Sequence, residues 1–125
     1  MELKLKRATE PPAKSDGARV LVDRLWPRGI SKEKLKLDAW LKEIAPSDAL
    51  RQWFGHEPAK WDGFCGRYGK ELDANPDAVR ALQDLLRGHG TITLVFDARD
   101  VEHNNAVALQ QYMHRRMPRK RKTRA

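Results

Sequence analysis

The run from Thr91 to Phe96, Thr-Ile-Thr-Leu-Val-Phe, leaves this chain few choices of fold. Six successive β-branched, aliphatic and aromatic residues are typical of a strand that is buried on both faces. Strands of this kind belong mostly to parallel sheets, in which helices cover both sides. A second apolar run, Arg19–Leu25, has the same character and is followed by Pro27 and Gly29, which end it. We therefore expect a sheet with at least two inner strands and several covering helices.

Helical patterns lie between these runs. Apolar residues recur at three- and four-residue steps over 58–73 and again from Asn75 to Gly88, which predicts two amphipathic helices. Ser31, Ser47 and Asp100 are predicted to cap three further helices.

Two other segments have a strand-like pattern. The alternation of leucine and lysine over residues 2–7 predicts a strand with one buried face. Residues 38–45 fit either a helix face or an alternating strand, and we favour a strand or extended segment that ends at Pro46. Strands separated by helices indicate a single-domain α/β fold with a small, mainly parallel sheet covered by helices.

The length of 125 residues suits one domain, and the basic charge is unevenly distributed. We predict a compact domain over residues 1–114 and a basic, flexible tail over residues 115–125. The tail contains no acidic residue, so the domain itself is nearly neutral although the whole chain carries a formal charge of +8. Its basic residues are Arg115, Arg116, Arg119, Lys120, Arg121, Lys122 and Arg124.

Cysteine usage and hydropathy predict a cytoplasmic protein that does not associate with membranes. Cys65 is the only cysteine, which excludes an intrachain disulfide and gives no sign of an oxidising compartment. No apolar run approaches the ~18 residues that a membrane helix needs, and the N-terminal residues do not resemble a secretory signal.

Charged side chains follow both predicted inner strands. Ligands of open parallel sheets bind beyond the carboxyl ends of the strands, which selects residues 23–29 and 97–104. Arginine binds carboxylates and phosphates through two parallel hydrogen bonds, and a neighbouring tryptophan offers a stacking surface. We expect an anionic small molecule there, with candidate ligand-binding residues Arg24, Trp26, Arg28, Arg51, Arg99 and Asn104.

Three residues are candidates for proton transfer in the same region: Asp23, Asp97 and His103. A neutral histidine beside an aspartate can act as a general base. A structural interpretation stays open for each segment. Asp23 would form an internal network with an arginine, and Asp100 would cap the last helix with His103 in its first turn.

The sequence predicts no metal site and no cofactor. The four histidines, His56, His89, His103 and His114, are scattered, without the spacing of paired ligands and without cysteine partners. The glycines at 63, 66 and 69 fall inside a helical pattern and do not form a phosphate-binding loop. Cys65 lies on an apolar helix face, where an inert buried thiol is expected.

The run Arg19-Val-Leu-Val-Asp-Arg-Leu-Trp-Pro-Arg-Gly29 closely resembles the signature of the YeaO-like family of uncharacterised bacterial proteins, domain of unknown function 488. The resemblance implies a compact cytoplasmic α/β domain, covers roughly residues 2–114, and implies no established activity. Members commonly continue the pair His103-Asn104 with a second histidine, whereas this chain has Asn105. The other matching segments are Trp40–Ser47, Leu50-Arg51, Trp53–His56 and Ala98–Asp100.

Three functions follow as hypotheses. The first is a protein that binds or acts on a phosphate- or carboxylate-bearing small molecule at the strand ends. The second is a nucleic-acid-associated protein that binds through its tail, non-specifically and with steep salt dependence. The third is a non-catalytic interaction module with an exposed aromatic helix face around Trp61 and Tyr68.

Overall fold

The computed structural model describes residues 2–116 and confirms the α/β fold with a parallel sheet. Four strands, β1 (Glu2–Arg7), β2 (Ala18–Leu21), β3 (Ala39–Trp40) and β4 (Thr91–Phe96), lie in the order β1-β4-β2-β3, and every neighbouring pair is parallel. The two predicted inner strands, β2 and β4, are therefore neighbours at the centre of the sheet. Because all strands run in one direction, their carboxyl ends meet at a single edge, here called the carboxyl edge.

Five helices connect and cover the strands. They are α1 (Lys32–Leu35), α2 (Asp48–Phe54), α3 (Trp61–Asp73), α4 (Pro76–Gly88) and α5 (Asn105–Arg116), with short 3-10 turns at Lys14–Asp16, Lys42–Ile44 and Pro58–Lys60. Ser31 and Ser47 cap α1 and α2 as predicted, since their side chains accept hydrogen bonds from Lys34 N and Leu50 N. Across residues 2–116 no helix has the length and apolar character needed to cross a bilayer.

The main core lies between one face of the sheet and helices α2 to α5. Val20, Ile92, Leu94 and Phe96 from the inner strands contact aromatic residues of α2 and α3 there. Leu3 and Leu5 of β1 extend the same face, which accounts for the alternation in residues 2–7.

The opposite face of the sheet is covered by α1 and by the loops that follow β1 and β2. Leu21 and Val95 pack there with Leu35 of α1, and Trp26 joins this second cluster from the loop after β2. Asp16 and Arg19 form a buried ion pair of 2.7 Å beneath these loops. The second layer therefore combines a small apolar cluster with a buried ionic network.

The predicted strand Arg19–Leu25 is too long, because β2 ends at Leu21. The last ladder bond joins Val22 N to Val95 O, and the next donor of β4, Asp97 N, is taken by the side chain of Asp23 instead of by backbone. The chain turns away from the sheet at this point. Leu25, expected to be buried, is 67% exposed.

Asp100 does not cap the last helix, so this prediction is wrong. Its Oδ1 accepts from Glu102 N and His103 N, which closes a separate turn before α5 begins. Asn104 caps α5 instead, and its Oδ1 accepts from Val107 N at 3.0 Å. His103 therefore precedes the helix and does not lie in its first turn.

Residues 38–45, whose sequence fits either a helix or a strand, form two different short elements. Ala39–Trp40 forms the short edge strand β3, and Lys42–Ile44 forms a 3-10 turn. The edge strand is short because its partner β2 ends at Leu21. The last hydrogen bond between the two strands runs from Leu41 N to Leu21 O.

Candidate functional site

Asp23 lies at the centre of the carboxyl edge and joins three elements. Its Oδ2 accepts from Asp97 N at 2.9 Å, directly after β4, and its Oδ1 accepts from Nδ2 of Asn105 at 3.1 Å, at the start of α5. Its backbone carbonyl accepts from Nε1 of Trp40 at 2.8 Å. Both carboxylate oxygens are thus held by donors of the protein itself.

The pKa of Asp23 is raised above its ordinary value. Burial is the main cause, because it penalises the charged carboxylate. The hydrogen bonds from Asn105 and from Asp97 N act in the opposite direction, as does the charge of Arg51, while the Asp97 carboxylate raises the pKa further. The structure therefore brings Asp23, Asp97 and Arg51 into one electrostatic neighbourhood.

Arg24 follows Asp23 and turns towards the segment before α2. One Nη2–H donates to Ala45 O at 3.2 Å. Its Nε is buried and has no hydrogen-bond partner within residues 2–116. A buried N–H without an acceptor is uncommon in folded proteins, because losing the hydrogen bond to water costs about 1–3 kcal/mol.

Arg51 lies on the exposed side of α2. It pairs with Asp48 at 2.7 Å, and its side chain remains 44% exposed. An exposed ion pair of this kind is weak, at about 0–1 kcal/mol, so the guanidinium can exchange Asp48 for another anion at little cost. Arg51 is therefore available to a second anion.

His103 lies in the loop before α5. Its Nδ1 is 2.9 Å from Oδ2 of Asp100, and its ring packs edge-on against Trp61 at a centroid distance of 5.3 Å. The pKa of Asp100 is lowered, first by the hydrogen bond from Glu102 N and then by the one from His103. The pair orients the imidazole, and its Nε2 is the ring nitrogen directed away from Asp100.

The other predicted site residues lie apart from this cluster or serve the fold. Trp26 packs in the second layer, where its Nε1 donates to Ile30 O at 2.6 Å and its ring contacts Trp40. Asn104 is buried as the cap of α5. Arg28 and Arg99 are exposed and form no ion pair with the part of the chain that the structure describes.

Asn105 and Arg7 belong to the carboxyl edge, although sequence reasoning did not select them. Asn105 binds Asp23 and also donates to Val22 O at 3.1 Å. Arg7, the last residue of β1, donates from Nη2 to Asp97 O at 3.3 Å. Two features of the sequence could have pointed to these residues. Asn105 stands where the family resemblance implies a histidine, and Arg7 is a charged residue at an apolar position of the alternation in residues 2–7.

The aromatic face proposed for an interaction module is not exposed at both rings. Tyr68 is 1% exposed, and its hydroxyl donates to Ile44 O at 2.6 Å. Trp61 is half-buried against Phe54 and Phe64. Most of this helix face therefore forms core.

The predicted tail begins inside α5. Arg115 and Arg116 lie in its last turn, and Nη2 of Arg116 is 3.4 Å from Oδ1 of Asp73. Binding of nucleic acid through the tail stays a prediction. The other residues on which it depends lie outside the described residues: Arg119, Lys120, Arg121, Lys122 and Arg124.

Potential metal ligands are dispersed in the described part of the chain, where no three histidine, cysteine or acidic residues are grouped closely enough to hold an ion. Cys65 is partly buried beside the main core, and burial raises the pKa of its thiol. A thiol with a raised pKa is a poor nucleophile.

The chain is similar to one protein family and to uncharacterised bacterial proteins. A family model described as the inactive DUF488-N3 subclade matches residues 2–125. The chain is 39% identical over 113 residues to the uncharacterised protein YeaO of Escherichia coli K12, covering 90% of this chain and 97% of that protein. It is 38% identical over 114 residues to an uncharacterised protein of Mycobacterium tuberculosis H37Rv, covering 91% and 95%. No solved structure matches the chain.

Proposed function

Because this chain belongs to the YeaO-like DUF488 family, in a subclade described as inactive, we propose that it binds a small anionic molecule at the carboxyl edge without transforming it. The ligand carries a phosphate or carboxylate group. Arg24 is its principal contact, and Arg51 adds a second positive charge.

Arg24 carries this proposal. Its Nη2 is anchored on Ala45 O, which fixes the guanidinium plane, while its buried Nε has no acceptor within residues 2–116. Nε is closed to solvent, so an oxyanion reaches it only when neighbouring side chains move aside; it then satisfies this donor and gains a charge-assisted hydrogen bond. Arg51 of α2, whose charge acts on Asp23, leaves its exposed pair with Asp48 at little cost.

Binding without turnover is supported by the state of Asp23. Both of its oxygens accept hydrogen bonds from the protein, which hold the carboxylate in a fixed position and favour its ionised form. Its partner Asn105 stands where members of the family commonly have a histidine. An amide holds the carboxylate in place but does not exchange protons near neutral pH, as an imidazole does.

Titration of the intact chain with inorganic phosphate, methylphosphonate and acetate tests the proposal. We expect binding by calorimetry, and we expect Arg24→Met to weaken it about tenfold or more, as the loss of a hydrogen bond to a charged group predicts. Methionine retains an apolar stem, so packing is largely kept. Arg87→Ala on α4 is the matched control, because it removes an exposed arginine that pairs only with Asp84 in the described chain.

Two results would overturn the proposal: wild-type protein that binds none of these anions, or Arg24→Met protein that binds them as wild type does. Turnover is tested separately. Incubation with phosphate monoesters followed by phosphorus NMR should leave the esters intact, and release of phosphate that requires Asp23 or His103 would show an enzyme instead.

A further inference from the structure

Two side-chain nitrogens are buried without a hydrogen-bond partner within residues 2–116, and both belong to arginines at the carboxyl edge. One is Nε of Arg24, and the other is Nε of Arg7. Buried polar atoms in native proteins are nearly always paired, so an unpaired one needs a physical explanation. That both belong to the same residue type and lie at the same edge of the sheet points to a common cause.

The two arginines hold similar positions on either side of β4. Arg7 ends β1, which borders β4 on one side, and Arg24 follows β2, which borders it on the other. Each guanidinium is anchored by Nη2 on one backbone carbonyl, Arg7 on Asp97 O at 3.3 Å and Arg24 on Ala45 O at 3.2 Å. Each therefore has a fixed plane and an unused Nε–H.

The side chain of Arg7 continues the face of β1 that carries Leu3 and Leu5, because alternate residues of a strand share a face. Helices α2 to α5 cover that face. Arg24 contacts the same layer, because it donates to Ala45 O shortly before α2. No acidic side chain of residues 2–116 forms an ion pair with Arg7. A partly buried cation without a counterion attracts an anion from outside.

We propose that Arg7 forms a second anion-binding position, so that the ligand carries two anionic groups, one at Arg7 and one at Arg24. This inference rests on the proposed function, to which it adds the ligand class. Strands β1 and β2 are two strand spacings apart, so their backbones run about 10 Å apart where β1 ends at Arg7 and β2 leads towards Arg24. We expect the two anionic groups at a separation of that order.

The residue between the two arginines sets the chemistry of the spacer. Asp97 contributes its backbone to both sides, as acceptor from Arg7 and as donor to Asp23, and its own side chain is acidic. The Asp97 carboxylate adds a negative charge to this edge of the sheet, so a neutral spacer, or one bearing hydroxyl groups, is favoured over an anionic one. The favoured ligand class is an extended bisphosphate or dicarboxylate with a neutral centre.

A spacer series tests this inference. Methylphosphonate and straight-chain α,ω-bisphosphonates of increasing length are titrated against the intact wild-type chain by calorimetry. We expect affinity to rise with length and to peak when the phosphonates are separated by about 10 Å. At the peak, binding should exceed that of methylphosphonate by about tenfold, beyond the twofold statistical advantage of two equal groups.

Variants at residue 7 test whether Arg7 causes the peak in affinity. We expect Arg7→Met to remove the length dependence while methylphosphonate still binds at Arg24, and Arg7→Lys to retain part of the length dependence, because lysine keeps the charge but loses the planar donor pair. Arg87→Ala should retain the full peak. The wild-type series alone tests the inference if Arg7→Met does not fold.

The outcomes separate the two proposals. If methylphosphonate binds through Arg24 but all spacers bind equally well, the second position does not exist and the proposed function stands. A length peak that persists unchanged in Arg7→Met and Arg7→Lys would also overturn the role of Arg7. If no phosphonate binds at all, the proposed function itself fails.

Discussion

Asn105 connects the start of α5 to the end of β2 through one amide group. Its Nδ2 donates to both Asp23 Oδ1 and Val22 O, at 3.1 Å each. The amide stabilises the charged form of a buried carboxylate, and burial alone would raise the pKa of Asp23 further. Asn105 thus supports the centre of the candidate site.

We expect Asn105→Leu to raise the pKa of Asp23 and to lower the free energy of unfolding by about 1–3 kcal/mol, because two buried acceptors lose a donor. Carbon NMR of the Asp23 carboxyl gives the first quantity, and urea denaturation gives the second. Asn75→Ala is the control, since its amide donates to Glu43 O at an exposed position and should cost less. An unchanged Asp23 titration would show that the amide does not set the charge of this carboxylate.

Asp23, Arg24 and Arg51 were expected from the sequence to bind a ligand, which stays a prediction, and their partners in the structure were not expected. The position after an inner strand is readable from a local pattern. The identity of the donor to Asp23 is not, because Asn105 is separated from it by 82 residues along the chain. Trp26 follows Arg24 by two residues, but its ring packs in the second layer of the sheet.

Helix α3 shows how a helix accommodates a neighbouring ring. Gly63 faces Trp53 of α2, and a Cβ at residue 63 would lie 2.8 Å from the Trp53 ring. The same indole is flanked by the cations of Lys60 and Arg67, at 5.1 and 4.2 Å from its ring. Gly66, one turn further along, faces open space. Gly63 therefore permits the close approach of the Trp53 ring to α3.

Two alanine substitutions in α3 separate these effects. We expect Gly66→Ala to raise the free energy of unfolding by about 0.5–1 kcal/mol, because alanine has the higher helix propensity. Gly63→Ala should instead lower the free energy of unfolding below that of wild type. The added Cβ would displace the Trp53 ring, and a well-packed neighbour resists added volume. Urea denaturation of both variants is the measurement. Equal gains in both would show that the ring yields without cost.

At the scale of the whole molecule, the buried ionic network attaches the second layer to the sheet. Asp16 accepts from Lys6 of β1 at 2.9 Å and from Arg19 of β2 at 2.7 Å, and Arg19 also donates to Leu35 O of α1. Burial opposes the charge on Asp16, but the hydrogen bonds from Lys6, Ala13 N and Arg19 outweigh it and lower its pKa to about 2. The Asp16 carboxylate thus connects β1 with β2 and, through Arg19, with α1.

The stability that Asp16 contributes should depend on pH in a defined direction. Because its pKa is lowered on folding, the contribution is complete above the ordinary value of 3.8 and is lost as the pH falls towards about 2. We expect Asp16→Asn to cost about 3 kcal/mol near neutral pH, since Arg19 would lose its buried counterion. The difference from wild type should shrink below pH 3.8. Urea denaturation across this pH range measures both quantities.

Asp77→Asn provides the control for that experiment. Its pair with Arg80 is exposed on both sides, so the substitution should change stability by no more than about 0.5 kcal/mol. If the Asp16→Asn difference were constant down to pH 2, the charge of Asp16 would not be the source of its contribution.

The amino-acid sequence by itself determined the α/β class, the inner strands β2 and β4, the two long helices and the caps Ser31 and Ser47. These features depend on local periodicity and on side chains that act on the backbone within a few residues. Only the tertiary structure decided where β2 ends, which residue caps α5, and which donors hold Asp23. Each of these is settled by atoms from distant segments competing for the same hydrogen bond, as when the Asp23 carboxylate takes Asp97 N from the ladder. Competition of that kind depends on which strands become neighbours, and no short stretch of the chain records it.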